Sequence, residues 1–289
     1  MAGREQFATQ DVSVPFEVET SREWATSADG TEVPAFVVRR ADVEPDGTNP
    51  ALLTGYGGFR INRTPCFDRF RLSFLQAGGV FVVATLRGGA EYGDEWHEAG
   101  RREQKHHTFE DAEAVTDTLV DRGWAPPDRL AVMGGSNGGL LVGALITRDP
   151  ERFQAAVCLV PLLDMLRFHE FLLGESWTAE YGSPEEPKVF TYLREYSPYH
   201  NVEETVYPAT LFETALGGTQ VHPAHAWKTA TRVQTNNTGP HPIALRVADD
   251  TGHGTGKPTS MVVRESAERW GFLADQLNIP AAALRADEG

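Results

Sequence analysis

The sequence predicts an α/β fold built on a mainly parallel sheet with helices on both faces. Short apolar, β-branched runs alternate with helix-length segments, which is the pattern of strand–crossover–strand units. Most of these runs are continuously apolar rather than alternating, as expected of strands buried on both faces. At 289 residues the chain is long enough for one such domain with a sizeable core.

Taken in order, residues 1 to about 30 are weakly patterned and are expected to form a loose arm ahead of a domain spanning 31–289. "SADGTEVP" predicts a tight turn into an early antiparallel strand. The strand candidates are "VPAFVV", "PALLTGYG", "GVFVVATLRG", "RLAVMGG", "AAVCLVPL", "ATLFETA" and "PIALRVA". Helices are expected from near Thr64, Glu110, Asn137, Asp164 and Pro223, with a last one from Pro258. The second shows the 3.6-residue period through Ala112, Val115 and Leu119 and closes at Gly123. The last, behind Pro258, sets Val262, Ala267, Trp270 and Leu273 along one apolar face. Trp177 to Val206 is the longest stretch without a strand signal and is expected to cross the sheet edge or wall a site.

The formal charge of −15 argues against nucleic-acid binding, which needs a basic surface. Of 26 basic residues only Lys105, Lys188, Lys228 and Lys257 are lysines. An acidic, lysine-poor surface favours solubility and fits either a high-salt source or ordinary codon bias. Cys66 and Cys158 give neither a disulfide framework nor metal spacing, and Cys158 sits in an apolar run expected in the core. Charges run through the N-terminal residues, so no signal peptide is expected. No apolar run approaches the roughly 20 residues of a membrane helix. A cytoplasmic protein without membrane contact follows as the expectation. Lys105 to His107 ("KHH") is expected to be solvated, and neither HExxH nor paired-histidine spacing appears, so neither metal nor cofactor is expected.

"RLAVMGGSNGGLLVGALI" carries the chemistry. Gly134-Gly135-Ser136-Asn137-Gly138 fits G-x-S-x-G between an apolar strand and an apolar helix, the setting a nucleophile elbow requires. The sharp turn demands small flanking residues and exposes the Ser136 hydroxyl at the end of the strand. The Asn137 N–H, at the helix N-terminus, is placed to stabilise an oxyanion. Serine needs a base. In the order Ser, acid, His, "DDTGHGTGKPT" after the last strand nominates His253. His222 and His225 are read as structural or peripheral.

Together, "GYGGF", "RGGAEYGDEWHEAG", "GGSNGGLL", "SWTAEYGSP" and "GHGTGKPT" resemble the catalytic domain of the prolyl oligopeptidases, an α/β-hydrolase fold, from about Asp29 to about Asn278. Asn137 makes the match specific, since oligopeptidase B and the acylaminoacyl peptidases usually carry another residue there. The resemblance implies Ser136 as nucleophile, His253 as base, and the Tyr56 hydroxyl as the oxyanion donor beside the Asn137 N–H. It implies a proline-accepting pocket walled by Trp177 and Tyr181, with Phe59, Leu162 and Val221 as apolar neighbours. A flat indole suits a pyrrolidine ring.

Two departures stand out. Where the family writes roughly D-x-D-D-R-V-x-P-x-H, this chain has "LGGTQVHPAH". The acid position becomes Gly218 and the substrate-binding arginine becomes Gln220, while Val221, Pro223 and His225 keep register. The family's β-propeller and its N-terminal hydrolase segment have no counterpart here. Asp164 is the favoured substitute acid; Asp249, Asp250 and Glu213 are weaker candidates. Losing the acid in unrelated serine proteases lowers turnover ~10⁴-fold, roughly 5.5 kcal/mol of barrier. The expectation is a serine peptidase cleaving short proline-containing peptides after proline through an acyl-enzyme, impaired at Gly218. The alternatives are a non-catalytic remnant or interaction module, and a low-rate esterase. A separate propeller chain or self-association is the expected partner.

Overall fold

The computed structural model describes residues 14–248 and 258–284. Eight strands form one sheet: β1 (Val18–Thr26), β2 (Glu32–Arg40), β3 (Ala51–Thr54), β4 (Val80–Ala84), β5 (Leu130–Gly135), β6 (Ala155–Leu159), β7 (Ala209–Ala215) and β8 (Ile243–Ala248). Their order is β1-β2-β4-β3-β5-β6-β7-β8. β1 and β2 pair antiparallel and β2 meets β4 antiparallel. The remaining pairs are parallel.

The eight α-helices among the described residues are α1 (Leu72–Gln76), α2 (Asp94–Glu98), α3 (His106–Asp121), α4 (Asn137–Arg148), α5 (Thr178–Tyr181), α6 (Pro187–Tyr196), α7 (Ala224–Asn236) and α8 (Thr259–Gln276). The central strands divide their side chains between two cores. Leu53, Val80, Val82, Val132 and Cys158 pack with α3, α4 and α7, through Ala112, Val115, Leu140 and Val233. Leu52, Phe81, Val83, Ala131 and Val157 pack with α1 and α8, through Phe74, Leu273 and Leu277. Each such aliphatic side chain contributes about 1.5–3 kcal/mol on burial. α4 is buried throughout Asn137 to Ile146, which explains its apolar character on all sides.

Four expectations need correction. The arm expected over 1–30 contains β1, whose nine residues pair with β2 across the turn at Ser27–Gly30. β1 is a largely polar edge strand, so its sequence shows little apolar pattern. "PALLTGYG" supplies only four strand residues, because the chain leaves the sheet at Gly55 and turns at Gly57, φ +63°. The helix expected from Asp164 is replaced by 3-10 turns at Phe168–Glu170 and Gly174–Trp177, while α6 forms inside the stretch without strands. In α8, Ala267 is exposed and the buried positions are Glu265, Ser266, Leu273 and Ala274.

β3 has β4 on one side and β5 on the other, so the crossovers from β3 and β5 run in opposite directions across the sheet. Doubly wound sheets place ligands outside the carboxyl ends of strands at such a point. Here those ends lead directly into Tyr56 and Ser136.

Candidate active site

At the end of β5 the backbone of Ser136 adopts φ 58°, ψ −117°, a strained conformation for a residue with a side chain. The Ser136 N–H donates to Leu159 O at 2.9 Å, and its carbonyl accepts from Gly139 and Leu140 as α4 begins. Glycine is required around it. A Cβ on Gly134 would stand 2.2 Å from Gly138 O, and one on Gly139 would stand 2.6 Å from Pro161 Cβ.

Tyr56 and the elbow meet at the serine. Burial raises the pKa of the Tyr56 hydroxyl, against the lowering effect of the neighbouring Ser136 side chain and Asn137 backbone N–H. The Asn137 side chain is a strut. Its Nδ2 donates to Tyr56 O, and its Oδ1 accepts from the Tyr181 hydroxyl at 2.6 Å. Tyr181 is fully buried, which pushes its phenol well above the ordinary range. The one side chain thus ties the Tyr56 loop to the pocket wall.

Ser136, Asn137, Tyr56, Phe59, Leu162, Trp177, Tyr181, Gln220 and Val221 all line one cavity of about 170 Å³. Ile61 completes it and was not singled out by sequence. Phe59 meets Tyr181 edge-on at 5.6 Å. It does so with φ +57°, unfavourable for an aromatic residue, and its N–H donates to Glu180 Oε1 at 2.9 Å. Buried Glu180 also binds His97 Nε2 at 2.9 Å. Lys105, expected to be solvated, is instead buried, and its Nζ donates to Gly57 O beside Tyr56. Burial lowers its pKa to about 8. Glu180, His97 and Lys105 hold the loop from Tyr56 to Phe59 through long-range contacts that no local sequence pattern announces.

The acid side is different. Among the described residues, none that lines the cavity is acidic. Gly218 lies half-buried after β7, and its N–H donates to Ala215 O at 3.2 Å. Asp164, the favoured substitute, is fully buried and committed elsewhere. Its carboxylate binds Lys228 and Arg167 and accepts from Leu166 N. Burial would raise its pKa, but the Lys228 hydrogen bond and the neighbouring positive charges outweigh that and lower it. Glu213 is buried in β7 and paired with Arg269 at 2.9 Å. His225 is buried, its Nδ1 accepts from Asp164 N at 3.0 Å, and burial lowers its pKa to about 3. His222 stacks on Phe171 at 5.1 Å. His253, Asp249 and Asp250 lie outside the described residues. Cys158 is buried, which pushes its thiol up, and Cys66 is exposed.

The model of the prolyl oligopeptidase peptidase family matches residues 65–280. The chain belongs to the prolyl oligopeptidase family. It is 43% identical over 270 residues to a dual function macrocyclase-peptidase of Galerina marginata, covering 92% of this chain and 37% of that protein. It is 39% identical over 256 residues to a prolyl endopeptidase of Elizabethkingia miricola, covering 88% and 36%. Among solved structures, one from a study of two prolyl endopeptidases and their inter-domain dynamics superposes with TM-score 0.90 at 44% identity. It covers 91% of this chain and 39% of that one. The chain therefore spans a little over a third of the length of the curated relatives it matches. Within the prolyl oligopeptidase family the sheet and helices described above are the α/β-hydrolase catalytic domain. No helix among the described residues is long and apolar enough to cross a membrane.

Proposed function

We propose that this chain is a serine hydrolase that accepts proline-containing peptides and turns them over slowly because its acid position is Gly218. The observation that carries this reading is the convergence of Ser136, Tyr56, Asn137, Trp177 and Tyr181 on a single small apolar cavity. The Ser136 hydroxyl attacks the carbonyl after proline, passing its proton to His253. The Tyr56 hydroxyl and the Asn137 N–H receive the developing oxyanion, a contribution worth about 2.7–4 kcal/mol per donor in related chemistry. The pyrrolidine ring lies against Trp177 and Tyr181. The tetrahedral intermediate collapses to an ester on Ser136 as the amine leaves with the proton from His253, and water then cleaves the ester. Without a carboxylate behind it the imidazolium is poorly stabilised, which slows amides more than activated esters.

A second reading, a peptide-binding remnant, is favoured by one observation: Gly218 and Gln220 remove both charges from the acid loop while the pocket is kept. A partner over this face, either a separate propeller chain or a second copy, is supported by exposed Ile61 at the cavity rim. A fluorophosphonate probe separates the two functional readings. The proposal expects label on Ser136 that disappears in Ser136→Ala, with ester hydrolysis well above prolyl-amide hydrolysis. A folded protein that takes no label and cleaves neither substrate is the remnant.

A further inference from the structure

The first turn of α3 carries a second set of chemistry-bearing side chains, none of which is among the described residues lining the Ser136 cavity. His106 and His107 stand four and three residues before Glu110, so the three share one face of the helix. One donor atom from each lies within 4.8 Å of the others. The imidazole rings are 4.1 Å apart.

Their hydrogen bonds fix the ring chemistry. His106 Nδ1 is 2.9 Å from Glu103 O, and His107 Nδ1 is 2.9 Å from Ala99 O. A carbonyl only accepts, so each Nδ1 carries the proton and each neutral ring keeps its lone pair on Nε2. Histidines that bind metals are oriented in this way, with the second nitrogen donating to a backbone carbonyl. Asp29 adds negative charge, its carboxylate 3.8 Å from His107 Nε2, although Arg87 and Thr31 already hold it. The helix N-terminus opposes a cation. Glu110, Asp29 and the net charge of −15 offset it.

We propose that His106, His107 and Glu110 form a site for a borderline divalent cation of the zinc type. Two imidazoles and one carboxylate are a ligand set that suits zinc and leaves a fourth position for water. Tetrahedral zinc sets its ligand atoms about 3.3 Å apart, so small side-chain rotations close the site. The same turn carries Lys105 and Thr108, which contact Gly57, so an ion here braces the base of the oxyanion loop.

The test is calorimetric titration of the full chain, free of any polyhistidine tag and stripped with chelator. Zinc chloride is the titrant, with excess Mg²⁺ present to occupy carboxylate-only sites. One zinc per chain is expected. His106→Gln and His107→Gln should each weaken binding at least tenfold, and the double variant should abolish it, with unchanged melting temperatures in the absence of zinc. An anomalous-scattering peak between the three side chains of the wild type is expected independently of any variant. Zinc affinity unchanged in the double variant, loss of binding under Mg²⁺ competition, or no peak at these residues overturns the proposal.

Discussion

Two loops face each other across the cavity, and they are built to different standards. The elbow around Ser136 is held by a saturated polar network: Asn137 spans from Tyr56 O to the Tyr181 hydroxyl, and Glu180 and Lys105 secure the backbone beneath. The loop after β7 keeps its buried anchors Val221 and His225 but presents Gly218 and Gln220 where the prolyl oligopeptidase resemblance implies an aspartate and an arginine. The contrast separates two parts of a serine hydrolase. On the proposed assignment, the part that shapes the pocket and would receive the oxyanion is kept, and the part that would stabilise a charged base is not. What the difference predicts is a loss of rate without a loss of recognition.

Breaking the intact side should have large effects. Asn137→Ala removes two buried hydrogen bonds and leaves Tyr56 O and the Tyr181 hydroxyl unpaired, at about 1–3 kcal/mol each. Phosphonylation of Ser136 should slow roughly 100-fold, by the rule that each 1.4 kcal/mol is about tenfold. A rate within twofold of wild type would show that the strut does not position Tyr56. Trp177→Ala should reduce discrimination between proline and alanine esters about tenfold, on the order of one pocket contact, with little change for the alanine ester.

Smaller effects come from the buried bases, and their signs are opposite to the usual surface case. His225 has a folded pKa of about 3 against an ordinary 6.5, so the unfolded chain takes up the proton first. Its contribution to stability is present above pH 6.5 and is lost as pH falls toward 3. Urea unfolding across that window should show a steeper acid loss in the wild type than in His225→Asn, whose side-chain oxygen preserves the acceptor for Asp164 N. Lys105 has a folded pKa of about 8 against 10.5, so wild-type stability should rise relative to Lys105→Met as pH increases from 8 to 10.5. A pH-independent difference between the two would place the Lys105 ammonium in contact with solvent.

The same contrast explains how much could be read in the sequence. The inner strands are legible because burial on both faces makes them continuously apolar, and the elbow is legible because its glycines are forced by close contacts at Gly134 and Gly139. Apart from Ile61, the residues lining the cavity follow from the family motifs. β1 is not legible, since an edge strand exposed over most of its length has little reason to be apolar. At Asp164 the expected helix does not form: Lys228 and Arg167 hold its carboxylate, and the chain continues in 3-10 turns. Lys105 and Glu180 escape notice for another reason. Lys105 acts on Gly57 48 residues away and Glu180 on Phe59 121 residues away, and a charged side chain alone does not announce a buried partner.

The central proposal is that the missing acid at Gly218 is the main cause of slow turnover, and replacing that residue tests it directly. The backbone at Gly218 needs no positive φ, and an added Cβ would meet Ala215 O and Val221 O at 3.2 Å, so these two carbonyls must give by a few tenths of an ångström to admit an aspartate. The measurement is kcat/KM for a chromogenic prolyl amide in wild type and Gly218→Asp, with circular dichroism to confirm equal folding. The account predicts a gain of several orders of magnitude, up to ~10⁴-fold, at nearly constant KM. Equal rates in two well-folded proteins would contradict it.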